Sequence, residues 1–337
     1  ILNKEEFNQF CSQMTYKSFM QSTEMADLLQ KRGYQIQYVG YEEEEILQVA
    51  ALLYSLPMTG GLHMEINSGP ASRDQSYLPH FYKELQYYAK NNGALELIVK
   101  PFDTYQTFDS NGKATSEKNE SLISDFIDLG FEFDGLKTGY PGGEPDWHYV
   151  KDLSGITEKT LVKSFSKKGR PLVKKAKTFG IKLRKLERNE LHLFKEITFS
   201  TSERREYGDK SLEYYQDFYD NFGDKAEFMI ASLNFQDYLD HLNADQSKLG
   251  KKIKTLQSDL ENNPQSEKKQ NRLREFSNQY ETFTTRKEDA KVFLNKYGNK
   301  EVVLAGSLFI YMPQEAVYLF SGSYTDFNKL YAPALLQ

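Results

Sequence analysis

Leu239, Leu242, Gln246, Leu249, Ile253, Leu256 and Leu260 are spaced alternately three and four residues apart. That is the seam of a heptad repeat. It constrains the chain more than any other stretch, because such a helix buries its stripe against a second helix. The second helix follows at once. Leu273, Phe276, Tyr280, Phe283, Lys287, Ala290 and Leu294 repeat the spacing. Pro264 lies between the two seams, lacks an N–H and marks the reversal. Folding about that turn brings Leu256 near Leu273 and Ile253 near Phe276. Residues 236–294 are therefore expected to form an antiparallel helical arm. The apolar runs 226–233 and 302–311 on either side read as strands. The arm then replaces a hairpin turn, and the two strands belong to one sheet.

A chain of 337 residues is long enough for two cores. Its mean hydropathy of −0.67 and 27% charged residues are those of a soluble protein. No run approaches the roughly 20 apolar residues of a membrane span. Cys11 is the single cysteine, which excludes internal disulfides and fits a reducing cytoplasm. With a pI near 5.7 there is no global pull toward nucleic acid, so any polyanion site must be local.

In chain order, helices are expected at 4–14, 19–31, 76–91 and 121–129, and strands at 35–41, 46–56, 62–67 and 95–99. The run Glu42-Glu43-Glu44-Glu45 reads as a solvated hairpin turn rather than a metal site. Segment 139–145 is rich in Gly and Pro and reads as the boundary between two domains. Beyond it, a strand is expected at 149–153. A basic helical stretch follows at 157–179, interrupted by Gly169-Arg170-Pro171, then a strand at 181–186 and helices at 190–200 and 212–222. The second half echoes the first: two strands, a third strand closed by Ser-Gly (Ser68-Gly69, Ser321-Gly322), a loop and a helix start. The echo stops at Gln337, as its last helix begins.

Phosphate-binding loops of the GxxxxGK[ST] and GxGxxG types do not occur, nor does the Q/R-x-x-G-x-G/A pyrophosphate signature of acetyl-CoA enzymes. The five histidines have no metal-ligand spacing. The positive signal is charge. Between Glu158 and Arg188 twelve Lys/Arg, among them Lys167, Lys168, Arg170, Lys174, Lys175 and Lys177, face two acids. In an acidic protein this is a patch suited to phosphate contacts, although a plain solvated helix face has the same composition. Lys210 and Tyr214 stand four apart at a helix start and share a face, where a lysine can help hold a phosphate.

Taken together these pieces resemble the FemABX family of non-ribosomal peptidyltransferases, and within it the MurN-type, alanine-adding branching enzymes. The resemblance rests on the basic run from Ser164 to Lys177, Lys100-Pro101 with Tyr105-Gln106, Ser202-Glu203-Arg204-Arg205, the stretch from Asp209 to Tyr219, the inserted arm, and Tyr318 to Gly322 leading to Tyr331-Ala332-Pro333. It implies an α+β fold of two tandem GNAT-like acyltransferase domains, 1–152 and 153–337. A coiled-coil arm, 236–294, is inserted in the second, which is C-terminally incomplete. It implies transfer of an amino acid, L-alanine at the second branch position, from alanyl-tRNA to the stem-peptide lysine of lipid II or its branched derivative. The protein would then be cytoplasmic and touch the inner leaflet transiently, using no metal and no cofactor. By position, Lys210 stands for an arginine that holds the precursor's diphosphate, and Tyr214 and Tyr318 for tyrosines lining the muropeptide pocket. Arg32 and Lys31 fall near a basic site for the same phosphates. Lys100 departs from the family's Asp before Pro, so no carboxylate base is carried over there. The residues themselves leave two other readings open: an acyl-CoA N-acyltransferase and a non-catalytic tRNA-binding protein.

Overall fold

The computed structural model describes residues 1–139 and 145–337. The boundary expected at 139–145 thus falls largely outside the described residues. The chain is α+β and divides into two units. Unit 1 comprises Ile1–Gly155, Gln216–Ala226 and Ile310–Val317; unit 2 comprises Ile156–Tyr215, Glu227–Phe309 and Tyr318–Gln337. Among the described residues no helix is long and apolar enough to cross a membrane.

In unit 1, strands β1 (Gln35–Glu43), β2 (Ile46–Met58), β3 (Gly61–Asn67) and β5 (Ala94–Lys100) form a sheet in the order β1-β2-β3-β5, with β4 (Ala71–Ser72) beside β2. The first two pairings are antiparallel, and β3 and β5 are parallel. A parallel pair needs a crossover. Here α3 (Leu78–Asn91) supplies it, with Pro79 in its first turn, where a missing N–H is harmless. The β1–β2 turn places Glu44 and Glu45 at φ 50° and 62°, exposed as the acidic run implied. Helix α1 (Lys4–Ser12) opens on an Asn3/Glu6 capping box, and α2 (Thr23–Lys31) is capped by Ser22. Helix α4 (Glu120–Asp128) follows the stretch 101–119 that leaves β5.

Strand alternation sorts the sheet's faces. Val49, Ala51, Leu53, Met64 and Ile66 pack with Phe81, Tyr82, Leu85 and Ala89 of α3. His63, Glu65 and Asn67 of β3, with Glu96 and Lys100 of β5, therefore lie on the opposite face.

Unit 2 contains α5 (Glu158–Ser164), α6 (Gly169–Lys177), β6 (Lys182–Lys185), α7 (Leu191–Arg205) and the first turn of α8 (Leu212–Phe222). Strands β7 (Ala226–Asn234), β8 (Glu301–Tyr311) and β9 (Ala316–Ser323) complete a sheet ordered β6-β7-β8-β9, and α11 (Ala332–Leu336) ends the chain. The strands flanking the arm are indeed neighbours in one sheet. Helix α7 lies very close to β8 and β9. A Cβ on Gly322 would come within 2.8 Å of the Ile197 carbonyl oxygen, and one on Gly306 within 3.0 Å of the Ile197 side chain. Glycine at both sites is what admits the helix.

Helices α9 (Phe235–Asn262) and α10 (Glu267–Tyr297) form the antiparallel arm. The seam residues Leu239, Leu242, Gln246, Leu249 and Ala290 are buried near its base, and Ile253, Leu256, Leu273 and Phe276 are half-buried toward its tip. Tyr280 departs from the pattern, 40% exposed. Gln246 holds the seam's polar layer, donating to Thr284 Oγ1 at 2.8 Å and accepting from Lys287 Nζ at 2.9 Å. The base is clamped by Arg286, whose guanidinium lies 4.4 Å from the Phe179 ring centre and donates to the Tyr238 hydroxyl at 2.7 Å.

Two expectations are corrected. No strand forms at 149–153; Tyr149 and Val150 are fully or nearly exposed, so the apolar side chains that suggested a strand are not buried against a sheet. The basic stretch breaks at 165–168 rather than at Gly169-Arg170-Pro171. That tripeptide opens α6, where a proline in the first turn forfeits no intrahelical bond.

Candidate functional site

Each unit carries one line of polar and aromatic side chains, and between them the two lines hold Lys210, Tyr214, Tyr318, Arg32 and Lys100 of the residues singled out in the sequence.

In unit 2 the line begins at the start of α8. Asp209 is 7% exposed at its side chain, and its carboxylate takes the ammonium of Lys195. It also accepts from Thr198 Oγ1 at 3.2 Å, the Tyr215 hydroxyl at 3.2 Å and the Lys210 N–H at 2.9 Å. Ser211 Oγ then accepts from the Tyr214 N–H at 3.1 Å. This polar knot fixes where α8 begins, and so where Lys210 and Tyr214 point. Burial, with the Asp209 charge beside it, holds the Tyr215 phenol in its neutral form far above the usual range.

Lys210 is exposed, its ammonium 5.3 Å from the Tyr214 ring centre. Tyr214 meets Phe320 edge-on at 6.0 Å. Phe320 and Tyr318 are two apart on β9 and share a face. Tyr318 is 38% exposed and packs on Phe309 at 5.4 Å. The structure thus places Lys210, Tyr214 and Tyr318 along one surface, with Phe320 and Phe309 as its apolar floor. An exposed cation beside tyrosine edges on an apolar floor is an arrangement that holds an anionic group while packing an uncharged neighbour.

In unit 1, Arg32 caps the C-terminus of α2, its guanidinium 5.9 Å from the Tyr34 ring centre. Tyr34 meets Tyr54 edge-on at 5.3 Å, and Tyr54 lies directly opposite Glu65 in the β2–β3 register. Glu65, buried, carries the Lys100 ammonium 2.6 Å from Oε1. Burial first, then the Glu65 charge, pushes the Tyr54 phenol far up. Arg32 and Lys100 therefore belong to one line of contacts. Lys31 points elsewhere, 2.6 Å from Asp217.

The basic stretch sorts by depth. Val173 and Ala176 bury one side of α6. Arg170 turns inward, its guanidinium donating to the carbonyls of Lys163 at 2.6 Å and Phe165 at 3.2 Å, which closes the end of α5. Lys175 reaches the Tyr331 ring at 5.1 Å. Lys167, Lys168, Lys174 and Lys177 are exposed.

Sequence reading missed Asp209, Lys195, Phe320, Glu65, His63 and Glu96. The signal for the β3 residues was present: His63, Glu65 and Asn67 alternate with apolar Met64 and Ile66, so a polar face was written there.

The model of the FemAB family matches residues 2–337. The aminoacyltransferase FemA of Staphylococcus aureus strain bovine RF122 / ET3-1 is 28% identical over 333 residues, spanning 97% of this chain and 79% of the relative. FemA of strain N315 gives the same identity and coverage. A crystal structure of FemX superposes with a TM-score of 0.69 at 18% identity, covering 100% of this chain and 83% of that one, a likeness of fold.

Proposed function

This chain is an aminoacyltransferase of the FemAB family, and from that premise we propose that it transfers an aminoacyl group from aminoacyl-tRNA to an amine of a lipid-linked peptidoglycan precursor. In the fuller reading the group is L-alanine. The acceptor is lipid II already bearing a first branch residue, and the encounter takes place at the inner leaflet. The two units are then GNAT-like modules, and the helical pair is a coiled-coil arm between two strands of the second.

The reaction is aminolysis of an ester. The acceptor amine, with a solution pKa of about 10.4, must lose a proton before it attacks. The tetrahedral oxyanion needs hydrogen-bond donors. The observation that carries the reading is the surface of Lys210, Tyr214 and Tyr318. It offers a diphosphate one positioned cation and offers the attached sugar and peptide an aromatic wall. Arg32 is the corresponding cation of unit 1. The exposed Lys167, Lys168, Lys174 and Lys177 supply phosphate contacts for the RNA, while Arg170 and Lys175 hold the shape of that surface.

The test is a KM split. Lys210→Ala is expected to raise the KM for the lipid-linked acceptor about tenfold or more, the scale of one charge-assisted phosphate contact, and to leave the KM for aminoacyl-tRNA unchanged. Lys210→Arg restores the charge and adds a fork. Unaltered acceptor kinetics in Lys210→Ala would remove Lys210 from the site.

A further inference from the structure

An acid stands one residue before the cation assigned to the ligand. Asp209 Oδ1 accepts from the Lys210 N–H at 2.9 Å, so the two residues are joined through the backbone. A carboxylate and an ammonium on adjacent residues attract each other, and the lysine stem is flexible enough to fold back onto such a neighbour. Lys210 does not do so. Its ammonium sits 5.3 Å from the Tyr214 ring centre and forms no ion pair among the described residues. The cause lies in how Asp209 is occupied. Oδ2 takes the Lys195 ammonium and the Thr198 hydroxyl at 3.2 Å, and Oδ1 takes the Tyr215 hydroxyl at 3.2 Å beside the Lys210 N–H. A carboxylate offers about four lone-pair sites, and four donors fill them. Only Lys195 among the three side chains carries charge, so it alone neutralises Asp209. Its ammonium also lies 5.2 Å from the Phe199 ring centre, which holds it on α7. All of these residues belong to unit 2.

We infer that Lys195 is a positioning residue for the acceptor: by occupying and neutralising Asp209 it keeps the Lys210 ammonium free for the diphosphate. The inference rests on the reading that Lys210 meets that phosphate. Without Lys195 a carboxylate charge is left uncompensated beside the binding cation. The Lys210 ammonium then turns from Tyr214 toward Asp209, and an incoming diphosphate meets a negative charge in place of a neutral pair. Both effects weaken binding of the acceptor. Thr198 and Tyr215 cannot take over, because their hydroxyls bring no charge. The two lysines thus have unlike tasks: Lys195 faces the acid, and Lys210 faces the ligand.

Two measurements on the full chain decide the matter. The first needs no substrate. Limited acetylation with acetic anhydride, read by peptide mass spectrometry, reports how free the Lys210 amine is. Lys195→Ala should slow acetylation of Lys210 about two- to fivefold, the scale of an exposed ion pair. The double variant Asp209→Asn/Lys195→Ala should return the wild-type rate, since no charge is left to draw Lys210 in. The second is kinetic. Lys195→Ala should raise the acceptor KM about tenfold, the scale of one charge-assisted contact, with kcat and the aminoacyl-tRNA KM held. Lys195→Arg keeps the charge and should restore the acceptor KM. The double variant should restore it too, although its packing is altered at two places; a purely structural role for Lys195 would make the double variant worse than the single one. Lys195→Gln, which keeps the stem and loses the charge, gives the same comparison if Lys195→Ala does not fold. Equal acetylation of Lys210 in wild type and Lys195→Ala overturns the inference, as does a double variant with the acceptor KM of Lys195→Ala. Slowed acetylation with an unmoved acceptor KM upholds the shielding of Lys210 and removes Lys210 from the phosphate site, which is the reading above.

Discussion

Replacing Asp209 by Asn removes one charge and almost no volume from the knot that sets the start of α8. The carboxylate serves four donors: Lys195, Thr198, Tyr215 and the Lys210 N–H. Neutralising one member of a buried ion pair costs about 3–5 kcal/mol, because the other charge is left uncompensated. Lys195 keeps 26% of its side chain in solvent and recovers some hydration, so the expected loss falls to about 2–3 kcal/mol. In a unit of roughly 150–250 residues, each kcal/mol moves the melting point about 2–4 °C. Calorimetry should therefore show the transition containing unit 2 falling by about 4–12 °C. Adding Lys195→Met should return part of the loss, since no stranded cation remains. A shift under about 1 °C, or a double variant showing the plain sum of two losses, would mean the knot does not hold α8 and Lys210 in place.

Three further outcomes follow from particular contacts. Changing Lys167, Lys168, Lys174 and Lys177 together to Gln should weaken tRNA binding and flatten its salt dependence by about three log units per log unit of salt, on the scale of 0.7–0.9 per lost phosphate contact; an unchanged slope, measured by filter binding across a salt series, places the RNA elsewhere. Gly322→Ala should cost about 1–3 kcal/mol in urea unfolding, because its Cβ would meet the Ile197 backbone, which cannot step aside as a side chain could. Burial raises the pKa of the Glu315 carboxyl although its Oε1 lies 2.6 Å from the Phe19 N–H. A raised folded pKa means stability is full below the unfolded value of about 4.3 and declines as pH rises through the folded one. Glu315→Gln keeps the acceptor and should flatten that decline in pH-dependent unfolding; an unaltered pH profile would assign the dependence to other groups.

The helical arm was legible because its seam is periodic over many turns and its reversal is marked by a proline. Local spacing also brought out Lys210 and Tyr214, whose ammonium and ring lie 5.3 Å apart although α8 begins only at Leu212. The Glu65–Lys100 pair was not legible, since it depends on the register of a parallel pair joined by a long crossover, and no local pattern sets that register. Asp209 escaped notice because an acid three residues before a helix looks like any loop residue, and its importance lies in distant Lys195 and Thr198. The segment at 149–153 has the composition of a strand, but composition cannot bury Tyr149 and Val150, which stay in solvent. Gly169-Arg170-Pro171 read as a break because glycine and proline close together mark loops as readily as a helix's first turn.

The most direct measurement offers the purified protein alanyl-, seryl- and glycyl-tRNA with lipid II, with and without a first branch residue, and weighs the product by mass spectrometry. The account predicts one added alanine on the branched acceptor, joined by an amide that survives hydroxylamine. Retention of every amino acid on its tRNA, or turnover of acetyl-CoA instead, would contradict it.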